Sequence, residues 1–156
     1  MTAGTDRKDL EKLKHLLQDE MSAVESYDKA ISHIKHEDTL AVLTELKSGH
    51  QARVKILQDK VTELGGELPT KSALWGKVAS IVESGVAKLG DKGLVAVLEE
   101  CEVKSLADYK NGLEVFDEAE HKFFFSDLLP AQQASYEKIH NHHKGMHVDS
   151  FGQLDA

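Results

Sequence analysis

Residues 9–34 read DLEKLKHLLQDEMSAVESYDKAISHI, and residues 94–110 read LVAVLEECEVKSLADYK. In the first stretch Leu10, Leu13, Leu17, Val24, Tyr27, Ile31 and Ile34 recur at spacings of three and four or their sum. Such a series marks the apolar stripe of one long helix. The position that completes the series between Leu17 and Val24 is Glu20, so a carboxylate faces the core. The second stretch repeats the first 82 residues later: Leu13, Leu16, Glu20 and Tyr27 fall on Val95, Leu98, Glu102 and Tyr109, with Ala23 opposite Ser105.

Two further stripes complete the frame. One carries Leu40, Leu43, Leu46, Val54, Leu57, Val61 and Leu64, with Asp38 as a candidate N-cap and Gly65-Gly66 as a stop. The other carries Phe125, Leu129, Tyr136, Ile139 and Met146, and Pro130 within it either kinks the helix or restarts it. The spacing predicts helices over about 6–36, 39–64, 93–117 and 120–146, within a single domain spanning 1–146. Residues 66–92 are too long for a hairpin link; Leu74, Trp75, Val78, Ile81, Val82, Val86 and Leu89 predict a short helix over about 72–88 in a crossover, with Trp75 pinning it to the bundle. Residues 147–156 read as a flexible tail. The expected fold is all-α, a four-helix bundle of two related helical hairpins joined by that crossover.

The same reading places four polar groups at one level. The gap in the second stripe between Leu46 and Val54 holds His50, and the 82-residue shift sets Gln132 opposite it. With Glu20 and Glu102 they converge inside the bundle, where unpaired carboxylates are costly; they must pair with one another, with water or with a cation. A hydrogen-bonded layer with a protonated His50, or a metal site, satisfies that demand. Lys47 is a further candidate cation for the two glutamates.

Composition narrows the classes. The chain has 156 residues, 29% charged and 6% aromatic, with 2 prolines and one cysteine, Cys101. That excludes a collagen-like or disulfide-rich protein. The formal net charge of −8 disfavours nucleic acid and anionic membrane surface as partners. No apolar run is long enough to span a bilayer and no signal peptide is evident, so the cytoplasm is the expected compartment. Phosphate loops, nucleophile elbows and Cys-x-x-Cys pairs are absent from the sequence, and Cys101, beside Glu102, is expected to be inert.

Glu20-x-x-Ala23-x-x-x-Tyr27, its echo Glu102-x-x-Ser105-x-x-x-Tyr109, the crossover length and His50 together resemble the ferritin-like superfamily over about residues 8–146. Leu64-Gly65-Gly66, Pro69, Trp75 and Leu98-Glu99-Glu100-Cys101-Glu102 with Tyr109 look more narrowly like a bacterial group of ferritin-like four-helix-bundle proteins catalogued as a domain of unknown function. The resemblance implies a carboxylate cage for two irons built with Glu-x-x-His motifs. Here Lys47 and Leu129 stand where the bridging carboxylates of those motifs would be, and Gln132 replaces the second histidine. What remains is a degenerate centre of Glu20, His50, Glu102 and Gln132, suited at most to a single Fe or Zn ion with Tyr27 and Tyr109 as outer donors.

The expected function is accordingly a non-catalytic, stress-related or interaction module; the alternative is a one-metal protein with oxidase-like or storage chemistry. A third candidate is a surface site of His140, His143 and His147, which share one helix face at spacings of three and four, near His33 and His36. Phe123-Phe124-Phe125 cannot all face one core, so one ring is expected to be available for self-association as a homodimer or larger assembly.

Overall fold

The computed structural model describes residues 3–71 and 85–149. It holds α1 (Ala3–Ile31), α2 (Glu37–Glu63), a 3-10 turn at Val86–Leu89, α3 (Gly90–Gly112) and α4 (Ala119–Asp149). Among the described residues there is no strand, and the four long helices make a bundle. Short turns fold α1 against α2 and α3 against α4 as helical hairpins; the hairpins meet mainly through α2 and α4, and the α1–α3 seam is the thinnest. Most of the expected crossover helix, Trp75 included, lies outside the described residues, as do 150–156 of the expected tail, whereas the backbone of 147–149 is still helical.

The helix ends differ from the spacing-based expectation for physical reasons. The first helix stops at Ile31 rather than near residue 36 because Asp91 draws the following backbone toward itself. Its carboxylate accepts the N–H of Lys35 and of His36 at 2.9 Å each, and His36 Nδ1 lies 2.8 Å from Oδ2. His36, extended at φ −96 and ψ 135, is therefore the N-cap of α2 without a side-chain cap of its own. Asp38 is not the cap: it sits inside the first turn and accepts the N–H of Thr39.

The opposite end of the bundle has the same device. Asp9 accepts the N–H of Asp117 and of Glu118 at 3.0 Å each, and His121 Nδ1 lies 2.8 Å from it. Asp9 and Asp91 are 82 apart, as are Lys35 and Asp117, and His36 and Glu118. The internal repeat thus survives as a crossed arrangement in which the first helix of each hairpin holds the turn of the other.

Elsewhere the chain follows its punctuation. Gly65, at φ 80, ends α2 with the N–H of Gly66 on Val61 O and that of Gly65 on Thr62 O, the paired bonds of a Schellman cap. Pro130 neither breaks nor restarts α4, which runs through it; Pro130 lies on the exposed side, where water can take up the carbonyl it leaves without a donor.

The apolar interior is divided. Leu13, Leu17, Leu57, Val61, Tyr109, Phe116 and Phe125 pack in one cluster. Tyr27, Ala30, Leu43, Leu46, Leu94, Leu98 and Ile139 pack in the other. Between them along the helices fall Glu20, His50, Arg53, Glu102, Gln132 and Ser135, all buried.

Candidate functional site: a buried layer of paired charges

Glu20, His50, Glu102 and Gln132, brought from four helices, do meet. His50 bridges the two acids, with Nδ1 2.8 Å from Glu20 Oε1 and Nε2 3.0 Å from Glu102 Oε2. Gln132 Nε2 donates to Glu102 Oε1 at 3.0 Å and to the Glu102 carbonyl at 3.2 Å. The tyrosines are crossed: Tyr27 O–H donates to Glu102 Oε2 at 2.7 Å, and Tyr109 O–H to Glu20 Oε2 at 3.1 Å.

A fifth group completes the layer. Arg53, only 3% exposed, donates through Nε to Glu20 Oε2 and through Nη2 to Gln132 Oε1 at 3.0 Å, with Ser135 Oγ at 3.4 Å. Sequence reading overlooked it by taking Val54 as the next apolar position after Leu46. The buried series is Leu43, Leu46, His50, Arg53, Leu57, Val61, whose three-and-four spacing passes through the arginine. Lys47, the candidate cation, pairs instead with Asp28.

The charges balance. Burial alone would strip the proton from His50, but the carboxylates of Glu20 and Glu102 overcome it and push its pKa up to about 9. Burial opposes ionisation of both glutamates too; the His50 cation outweighs it and holds each carboxyl below its usual range, with Arg53 assisting at Glu20 and Gln132 at Glu102. Burial and then the neighbouring carboxylate push both tyrosine hydroxyls well above their ordinary pKa, so they stay protonated donors. At neutral pH the layer carries two acids and two cations. With both ring nitrogens of His50 donating to carboxylates, Arg53 Nη2, 2.9 Å from Nδ1, meets a donor there and spends its hydrogens on Gln132 and Ser135.

As a metal cage the layer does not fit. All four carboxylate oxygens already accept hydrogen bonds, and a dication would have to displace the His50 proton and enter beside the Arg53 guanidinium. Among the described residues no group of three or more His, Cys, Asp or Glu could hold a metal ion. Access is also narrow. A cavity of about 30 Å³ between α1 and α3, lined by Tyr27, Glu102, Cys101 and Ser105, has room for a water and not for a substrate. A wider groove of about 620 Å³ on the same seam is floored by Leu16, Phe116 and Phe125, without Glu20 or Glu102 in its lining.

Of the expected surface histidines, His140 and His143 are described and both face Glu99, with Nδ1 at 2.7 and 2.5 Å from its two oxygens. His142 contacts Thr39 Oγ1 at 2.9 Å and His36 is engaged by Asp91. His33 is exposed, and the side chain of His147 lies outside the described residues. Of the three phenylalanines, Phe125 is buried, Phe124 packs against the core beneath Lys60, and Phe123 is 70% exposed. Asp9, Asp91 and buried His121 were not singled out in the sequence; extending the 82-residue repeat back to the first turns would have found the two aspartates.

Among the described residues no helix is long and apolar enough to cross a membrane. No curated protein and no solved structure matches the chain. The family model described as "Domain of unknown function (DUF2383)" matches residues 8–122, well over half of the sequence, and the chain belongs to that family.

Proposed function

We propose that the protein is a ferritin-like bundle whose di-iron centre has given way to a self-neutralising salt-bridge layer, and that it works as a non-catalytic interaction or stress-related module in the bacterial cytoplasm. One observation carries this reading: the Arg53 guanidinium is bonded to Glu20 and Gln132 within the layer where the superfamily resemblance would put metal. A fixed organic cation inside the bundle supplies the counter-charge that two buried acids require, and it needs no metal supply to fold. The layer keeps the bundle's register and leaves function to the surface. Self-association through the exposed ring of Phe123 is part of the proposal.

The test is elemental analysis of untagged protein purified without nickel, beside Glu20→Gln. The reading expects no stoichiometric iron or zinc that depends on Glu20. A metal present at one per chain in the wild type and lost in Glu20→Gln would overturn it in favour of a one-metal centre held by Glu20, His50 and Glu102.

A further inference from the structure

The open groove of about 620 Å³ between α1 and α3 is not a requirement of the fold, as the internal repeat shows. Shifted by 82, His15 and Asp19 fall on Val97 and Cys101, while Lys104 and Asp108 fall on Ser22 and Ser26. Ser22 and Ser26 are buried along the cavity of about 30 Å³. Charged side chains therefore stand on the half of the seam that is open, and their repeat counterparts are small or apolar.

The groove has the size of a small-molecule site, and its floor of Leu16, Phe116 and Phe125, with exposed Val115 at the edge, suits an apolar body. Its rim decides the sign of the head group. Lys104 donates to Asp108 at 3.0 Å, Lys12 lies over the Phe116 ring and 3.9 Å from Asp9, and exposed Glu11 faces Lys14. Asp19 is the exception. Its side chain is 24% exposed and makes no hydrogen bond among the described residues; His15 Nε2 stops 3.9 Å away. Burial pushes its carboxyl pKa up, with His15 opposing and Asp108 across the seam adding to the rise. An anionic ligand would have to draw a lysine from its acid, whereas a cation finds in Asp19 a half-desolvated acceptor without a close donor. Charge-assisted hydrogen bonds of that kind are the strong ones. The net charge of −8 also raises the local concentration of cations.

We propose that this groove binds an organic cation, its primary ammonium donating to Asp19 and its aromatic or branched apolar body lying on Leu16, Val115 and Phe116. The site is separate from the buried layer, since neither Glu20 nor Glu102 lines it. Its failure would leave the reading of the core standing.

The experiment is an amide NMR titration of the untagged full chain with phenethylammonium chloride, beside phenethyl alcohol and hydrocinnamate, which keep the ring and make the head group neutral or anionic. The ammonium should shift the backbone amides of Asn111 and Gly112 saturably and bind more tightly than either analogue. Asp19→Asn should weaken the ammonium roughly tenfold and leave the alcohol unchanged, with the unfolding temperature held or raised. Val115→Lys, at an exposed position, sets a like charge at the edge of the groove and should weaken the ammonium while sparing hydrocinnamate, whatever the stability of Asp19→Asn. No saturable shift at those amides, equal binding of ammonium and alcohol, tighter binding of hydrocinnamate, or an ammonium affinity unchanged in both variants would each overturn the proposal.

Discussion

Arg53→Met is the substitution that most directly interrogates the layer. Methionine fills most of the space that the arginine's carbon chain occupies, but it removes the bond to Glu20 and the 3.0 Å bond to Gln132, and leaves two acids facing one imidazolium. An ion pair at about 4 Å contributes roughly 4 kcal/mol at the effective dielectric found near protein charges. Stripping one partner from a buried pair typically costs about 3–5 kcal/mol. Against a total stability of roughly 5–15 kcal/mol that is a large fraction, and for a chain of 156 residues it corresponds to a melting temperature lower by about 10 °C. The assay is urea and thermal unfolding of wild type and variant at pH 7 and pH 5. Without Arg53 the Glu20 carboxyl gains affinity for a proton, so the variant's deficit should shrink as the pH falls. A variant melting within about 3 °C of wild type at pH 7, or a deficit that does not change with pH, would refute the idea that the guanidinium neutralises Glu20.

Further outcomes follow from the same geometry. His50 has a folded pKa raised to about 9 from 6.5, so its contribution is complete below about 6.5 and is lost as pH rises through about 9; chemical denaturation between pH 6 and pH 10 should show that decline, which His50→Gln should flatten. The carboxylate of Asp91 is pulled below its usual range, against burial, by the N–H groups of Lys35 and His36 and by the His36 ring; Asp91→Ala should cost about 1–3 kcal/mol and open those two amides to hydrogen exchange, and the contribution it removes is one that fades as pH falls through the lowered pKa. Gly112→Ala would place a methyl 2.5 Å from Phe125 Cζ, in a ring stacked on Tyr109, and should destabilise by about 1–3 kcal/mol in a melting experiment. Phe123→Ser, at an exposed position, should leave stability within about 0.5 kcal/mol while shifting any dimer toward monomer in analytical ultracentrifugation.

The fold was legible where burial is apolar and periodic. Leu13, Leu17, Leu57 and Leu98 announce their faces because hydrophobic spacing is a local property of a helix, and the gaps at Glu20, His50 and Glu102 stood out against it. Arg53 was not legible for the converse reason. A charged residue on a stripe looks like an error of phase until its partner is known, and its partner Glu20 is 33 residues away on another helix. The turns failed similarly: Asp38 has the type and place of an N-cap, yet the groups that fix the backbone before α2 come from Asp91, more than 50 residues on. Of the two readings of Pro130, the restart is excluded because the helix continues on both sides of it. The spacing of His140 and His143 was legible, but Glu99, toward which both turn, sits across the hairpin on another helix.

The crossed aspartates and tyrosines have a consequence for how the molecule comes apart. Because Asp9 and Asp91 each hold the opposite hairpin's turn, and Tyr27 and Tyr109 each satisfy the opposite hairpin's acid, neither hairpin is a self-sufficient folding unit. Fraying of one withdraws hydrogen-bond donors and acceptors from the other, so the described bundle should melt all-or-none, and two fragments divided between the hairpins should remain unstructured alone and recover helicity only when mixed.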